Sequence, residues 1–321
     1  MSPLPLPDVA GDWFAAMRAG DWEEAWRATD RIELERRRLQ AQPGFAWQPE
    51  FLRWDGTPLR GRAVMVRCDH GLGDTLQFLR FVPLLGAARL HLMVQPQLLP
   101  LLTGGRGLGQ VCDWWNLQTL PPHEVEIEVM ELAYALRTTL ATLPPPYPHL
   151  GLQLARRPAL GLPRDGRLRV GLLWAASDWD GSRSLPPAAL APLLAVQGVR
   201  FFSLQQGPAA DDPALADWPI ERLSHRTRGI AEAAAAMNEL DLVISIDGMP
   251  AHLAATLGRP TWLLLKHQAD WRWMTERDAS PWYPSMRLLR QPAPGDWATV
   301  IARAAWTLQR LAATARAAPA R

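Results

Sequence analysis

Apolar residues recur every three or four positions from Asp12 to about Ala41, with one interruption at Gly20-Asp21. The spacing predicts two helices; the second carries Trp22, Ala25, Trp26, Thr29 and Ile32 on one face and has Asp21 as its N-cap. Beyond the loop region from Pro43 to Pro58 the period changes. Ala63-Val64-Met65-Val66-Arg67 reads as a short strand running into Gly71-Leu72-Gly73-Asp74, and a helical stretch is expected from there through about Leu85. Leu90 to Val94 is the next strand, and strand and helix signals alternate to about Leu140. Pro144-Pro145-Pro146-Tyr147-Pro148 stops any helix and reads as the approach to a linker. A second series opens with Val170 to Trp174 and continues with a strand at Arg200 to Leu204 and a helix near Ile230 to Met237. It closes with a strand at Leu242 to Ile246, a helix over Ala251 to Leu257 and a strand at Thr261 to Leu265. Alternation of this kind, twice over, predicts an α/β chain of two domains with mainly parallel sheets. Ligands of such sheets bind outside the carboxyl ends of the strands, which predicts a cleft between the halves.

Three strand ends carry candidate chemistry. Gly71-Leu72-Gly73-Asp74 follows a strand and opens a helix, where glycines let a ligand approach the backbone and the helix start favours negative charge. Asp74 there is either a helix cap or a general base facing the cleft. Ser177 to Ser184, after the second domain's first strand, offers hydroxyls, N–H groups and the guanidinium of Arg183 to a phosphate, or is an ordinary polar turn. Asp247-Gly248-Met249-Pro250-Ala251-His252 leads from a strand into a helix; Pro250 suits the first turn and His252 points back toward that end. Gly104 to Gly109 lacks a strand before it and reads as a loop.

Composition narrows the choice. The chain of 321 residues has 34 basic and 32 acidic residues, a net charge of +2, which argues against a dedicated nucleic-acid binder. Among the basic residues only Lys266 is lysine. The longest apolar runs, such as Leu98 to Leu102, fall far short of the roughly 20 residues of a transmembrane helix. Met1 to Pro7 shows no basic segment leading into an apolar one, so a secretory signal is not expected. Two cysteines, Cys68 and Cys112, build neither a disulfide scaffold nor a thiolate zinc site, and a reducing cytoplasm is the expected location. Seven histidines without paired ligand spacing predict no metal site. Trp271, Trp273 and Trp282 either stack on a sugar or base or pack a loop onto the core.

Ala19-Gly20-Asp21-Trp22 with Ala25-Trp26 resembles one helix pair of a tetratricopeptide array; a lone pair cannot form a solenoid and is expected to pack on the neighbouring domain. Gly71-Leu72-Gly73-Asp74-Thr75-Leu76-Gln77-Phe78, Asp247 with Ala251-His252-Leu253-Ala254, and Leu257-Gly258-Arg259-Pro260 together resemble glycosyltransferase family 9, the ADP-heptose:lipopolysaccharide heptosyltransferases. Asp270-Trp271-Arg272-Trp273 with Ser280-Pro281-Trp282-Tyr283-Pro284 is similar to its tetratricopeptide-associated branch. The resemblance covers about residues 50–310. It implies a GT-B fold: two Rossmann-like domains facing a cleft, preceded here by the helix pair. The implied division is a helical segment 1–50, an acceptor domain 51–150, and a nucleotide-sugar donor domain 151–321 with a C-terminal helix.

The resemblance further implies inverting transfer without a metal or other cofactor, the nucleotide sugar being a substrate. Asp74 matches the family's proposed base; Gly71 and Gly73, which open its segment, are expected to bind the donor, together with Arg183, Ser184, Asp247, Gly248 and His252. Asp247 and His252 match the signature beside the donor diphosphate, and Arg183 and Ser184 fall where the family has a phosphate-contacting basic residue and a hydroxyl. Gly248 departs from the pattern, which has Thr or Ser there; a hydroxyl is missing while the backbone N–H remains. The expected activity is transfer of a sugar, with heptose a candidate, from a nucleotide diphosphate to a hydroxyl on a glycan or protein. The N-terminal helices are a candidate surface for a protein partner. The alternatives are a non-catalytic binding or scaffold protein on the same fold, and a nucleotide-sugar epimerase or hydrolase.

Overall fold

In a computed structural model of the protein, residues 9–44, 52–115, 120–150, 159–176 and 180–317 are described. Two helices begin it, Val9–Ala19 (α1) and Trp22–Gln40 (α2). They are separated by Gly20, whose φ of 81° is the left-handed conformation that ends a helix and that glycine adopts without strain. Asp21 caps α2, its side chain accepting the Glu24 N–H at 3.0 Å. Trp22, Ala25, Trp26 and Thr29 form the buried face of α2. Trp26 Nε1 donates to the Thr138 carbonyl at 2.6 Å, so the helix pair packs onto the sheet unit that succeeds it in the chain.

Two compact units divide the chain. The first comprises Met1–Leu99, Arg106–Pro145 and Asp270–Arg277; the second comprises Pro100–Gly105, Pro146–Ala269 and Asp278–Arg321. The division is therefore not a single cut near residue 150, because Asp270–Arg277 folds with the first unit.

Unit 1 contains a four-stranded parallel sheet in the order β3-β2-β1-β4. Its strands are Ala63–Arg67 (β1), Arg89–Val94 (β2), Gln110–Asp113 (β3) and Val125–Glu128 (β4). Ala63 to Val66 are all buried, as a central parallel strand covered on both faces requires. After β1 the helix Leu72–Phe78 (α3) is shorter than the pattern predicts and passes into a 3₁₀ turn over Leu79–Leu84. Pro83 explains the change: it lacks an N–H and its ring collides with the carbonyl four residues back.

Unit 2 contains a six-stranded parallel sheet in the order β10-β9-β8-β5-β6-β7. The strands are Leu168–Leu173 (β5), Val199–Ser203 (β6), Ile220–Arg222 (β7), Leu242–Ile246 (β8), Thr261–Leu265 (β9) and Met286–Arg290 (β10). Val170, Leu172, Ile244 and Leu264 are almost wholly buried in one core with Val300, Ile301 and Leu308 of the C-terminal helix Trp297–Ala317. Both sheets are wound with helices as α/β folds are. Among the described residues no helix is long and apolar enough to cross a membrane.

Candidate functional site

In unit 1 the carboxyl end of β1 turns through Cys68, Asp69 and His70 into α3. Gly71 is the N-cap, and Asp74 reaches back so that its Oδ2 accepts the Gly71 N–H at 3.0 Å. A Cβ at Gly71 would lie 3.0 Å from that oxygen, so glycine makes room for the returning carboxylate. Asp74 is therefore a helix cap. It is also more: Oδ1 accepts Arg272 Nη2 at 2.5 Å. Arg272 is itself fixed, donating from Nε to Gln77 Oε1 at 2.9 Å and from Nη1 to Asp270 Oδ1 at 2.9 Å, with its guanidinium 4.5 Å from the Trp271 ring centre. The loop before Asp74 is pinned too, since Gln95 Nε2 donates to the His70 carbonyl at 2.6 Å and Gln95 Oε1 accepts Thr75 Oγ1 at 3.1 Å.

Beside this loop, at the end of β4 and opposite Arg67 of β1, stands Glu128. It is buried; its Oε2 accepts the Met130 N–H at 2.6 Å and its Oε1 has no hydrogen-bond partner. Burial, with the nearby Glu131 and Asp69 charges, pushes its pKa up to about 8. Glu131 is pushed upward as well, chiefly by burial, although its carboxylate accepts the N–H groups of Arg53 and Trp54 at 2.6 and 2.9 Å.

In unit 2 the predicted polar loop after β5 is only partly described, because Ser177, Asp178 and Trp179 lie outside the described residues. The 3₁₀ turn Gly181–Arg183 is capped by Asp180. Ser184 Oγ accepts the Ala176 N–H at 2.9 Å, and Arg183 Nη1 donates to the Asp247 carbonyl at 3.2 Å. Arg183, Ser184, Asp247 and Gly248 are thus brought together at neighbouring strand ends, β5 pairing directly with β8. Gly248 has φ 176° and ψ 175°, fully extended backbone open to any residue, and caps the helix Met249–Thr256 with no side-chain bond. His252 lies within that helix, buried, its Nδ1 3.0 Å from the Tyr283 hydroxyl. That contact holds the ring by packing within unit 2.

Met249 and Pro250 also line a cavity of about 120 Å³ with Leu173, Leu204 and Thr227. Its walls are mostly apolar, with Arg228, Thr227 and Gln206 as the polar lining residues; Gln206 Nε2 donates to the Thr227 hydroxyl at 2.9 Å. Trp271, Trp273 and Trp282 are all buried and so serve packing rather than ligand stacking. The residues that sequence reasoning missed are Arg272, Glu128 and Lys266. Lys266 follows β9, its Nζ 2.7 Å from Asp180 Oδ2. Its only sequence signal is being the sole lysine.

No family model matches the chain. It is similar to Protein FlbA of Caulobacter vibrioides, 26% identical over 310 residues that cover 85% of this chain and 51% of that one. The chain thus spans about half the length of that curated relative. Among solved structures it resembles the glycosyl transferase family 9 protein of Veillonella parvula, with a TM-score of 0.54 at 13% identity over 81% of this chain and 99% of the other. Escherichia coli ADP-heptose lps heptosyltransferase II gives 0.54 at 14% identity over 78% and 99%. The dodecameric iron-containing heptosyltransferase TibC, in complex with ADP-D-beta-D-heptose, gives 0.55 at 13% identity over 81% and 78%. This is the fold of the family 9 glycosyltransferases.

In that fold two parallel sheets each end in loops that can serve a ligand, and the turns carrying Asp74 and Gly248 are such strand ends. TibC is iron-containing. Among the described residues of this chain no three His, Cys, Asp or Glu side chains group to hold a metal ion.

Proposed function

We propose that the chain is an inverting glycosyltransferase that moves a sugar from a nucleotide-diphosphate donor to a hydroxyl on a glycan or protein. Unit 2 holds the donor and unit 1 supplies the base, with the domain of residues 51–150 serving the acceptor. The observation that carries the reading is the convergence of Arg183, Ser184, the Asp247 carbonyl and extended Gly248 at the strand ends of unit 2. ADP-heptose or its analogue is the donor named for two of the structural neighbours, which makes a heptose the first sugar to test.

In the proposed step the acceptor hydroxyl attacks the anomeric carbon from the face opposite the diphosphate. A new carbon–oxygen bond forms, the bond to the diphosphate breaks with its electron pair, and Asp74 takes the acceptor proton. Arg183 and the backbone N–H groups of Gly248 and Met249 stabilise the leaving diphosphate, the larger catalytic contribution. We place the activity in the cytoplasm, where Cys68 and Cys112 stay reduced; both are free thiols here.

A scaffold without transfer is the second reading. It is favoured by two observations: both oxygens of Asp74 already have partners, and Gly248 offers no hydroxyl. A thermal-shift panel of ADP-, GDP-, UDP- and dTDP-sugars separates the two. One donor at a hundred times its Kd adds about 2.7 kcal/mol and raises Tm. Silence across the panel selects the scaffold.

A further inference from the structure

At the end of β9 an ammonium, a hydroxyl, a backbone N–H and a guanidinium gather around one carboxylate. Lys266 Nζ donates to Asp180 Oδ2 at 2.7 Å and to Ser182 Oγ at 3.0 Å. Ser182 donates to Asp180 Oδ1 through its N–H at 3.0 Å and through its hydroxyl. Arg183 Nε lies 3.8 Å from Asp180 Oδ2, while the Nη1 of the same guanidinium reaches the Asp247 carbonyl. These donor types, converging on a single anion, are the set that binds phosphate elsewhere. Two cations share this one carboxylate.

We propose that Asp180 is an internal stand-in for the donor's phosphate, and that Lys266 is a phosphate-binding residue which donor binding transfers from Asp180 to the diphosphate. The proposal rests on the reading of unit 2 as the donor site. The side chains of Lys266 and Asp180 are 29% and 28% exposed, so a ligand can reach the pair, and an ion pair that meets water is weak enough to exchange. A diphosphate brings more negative charge than one carboxylate and can hold Lys266 and Arg183 together. Asp180, once displaced, remains as a like charge beside the phosphate and limits how tightly it is held.

The two residues therefore act with opposite signs. Lys266→Gln weakens binding of ADP and of inorganic pyrophosphate by about tenfold or more, the worth of one charge-assisted hydrogen bond. Asp180→Asn tightens both severalfold. A purely structural salt bridge would instead make both substitutions lower Tm and neither strengthen binding.

The test uses the full chain. ADP and inorganic pyrophosphate, the latter common to every nucleoside diphosphate, are titrated by calorimetry into wild type, Lys266→Gln, Asp180→Asn and Arg183→Gln, with Tm recorded for each. In parallel an amine-reactive reagent labels Lys266, with the N-terminal amine of the same protein as the control. Expected are slower Lys266 labelling when either ligand is present and faster labelling in Asp180→Asn. If Arg183→Gln loses binding while Lys266→Gln binds as wild type does, the donor site stands and this proposal is overturned. Weaker binding by Asp180→Asn at unchanged Tm also overturns it. If neither ligand binds wild type or Asp180→Asn, the donor-site reading fails and the proposal fails with it.

Discussion

Asp74 meets a backbone N–H on one oxygen and a guanidinium on the other, which separates its capping role from its charge. Asparagine can still cap α3, but it deprives Arg272, whose side chain is only 10% exposed, of one of its two carboxylate partners. Asp74→Asn should therefore lower stability by about 1–3 kcal/mol, read from urea unfolding, and leave donor affinity unchanged. Under the proposed mechanism transfer falls by about 10²–10⁴-fold; transfer at the wild-type rate would remove Asp74 as the base. Gly248→Thr tests the opposite direction. The extended backbone accepts a β-branched residue, and a Cβ there meets only Pro250 Cδ at 3.7 Å, an ordinary contact. The restored hydroxyl should tighten donor binding by about 0.5–1.5 kcal/mol at unchanged Tm; unchanged affinity by calorimetry would show that the hydroxyl has no role. The strand-to-helix turns before Asp74 and at Gly248 were legible from sequence because each is only a few residues long, whereas Arg183 lies ten residues beyond β5 in a longer loop. Arg272 and Lys266 were not legible, because their partners lie 198 and 86 residues away and only the fold brings them together.

The elements show the same division between local and distant causes. Ala63–Arg67, Leu242–Ile246 and Thr261–Leu265 are apolar but for Arg67, Ser245 and Thr261, since both faces of a central parallel strand are covered, and such runs are readable directly. Gln110–Asp113 and Ile220–Arg222 lie at sheet edges, are four and three residues long, and carry polar side chains, so their pairing is set by neighbours rather than by pattern. The segment Asp270–Arg277 was legible as a motif but not in its place. There Trp271 stacks edge-on against Trp13 of α1 at 5.1 Å, and the Thr275 N–H donates to the Arg18 carbonyl at 3.2 Å. Trp271→Ala should cost about 3–5 kcal/mol as a large buried aromatic and remove the packing that holds both α1 and the Arg272 guanidinium. Hydrogen exchange should then show α1 losing protection ahead of β1; protection unchanged along α1 would mean that α2 alone secures it.

For the whole molecule, pH adds a term that contact geometry alone does not reveal. Glu128 holds its proton to about pH 8 in the folded chain but releases it near 4.5 when unfolded. Between those values the folded state binds more protons, so the stabilisation present below pH 4.5 is lost as pH rises and the curve levels off above 8. Two other groups bound the usable window. His91 is held below its ordinary value by burial and contributes the opposite slope at and below about pH 6.5. Asp180, held down to about 2 first by Lys266, acts only in acid. From pH 6.5 to 8 the fall belongs to Glu128; Glu131 is shifted in the same direction, chiefly by burial. Glutamine reproduces the protonated carboxyl, and its carbonyl oxygen can still accept the Met130 N–H. Glu128→Gln should therefore match wild type below pH 4.5 and exceed it increasingly toward pH 8, by on the order of a few kcal/mol. Parallel stability curves for the two proteins, from urea unfolding at half-unit steps of pH, would show that the Glu128 carboxyl is ionised at neutral pH and that its burial is relieved by solvent.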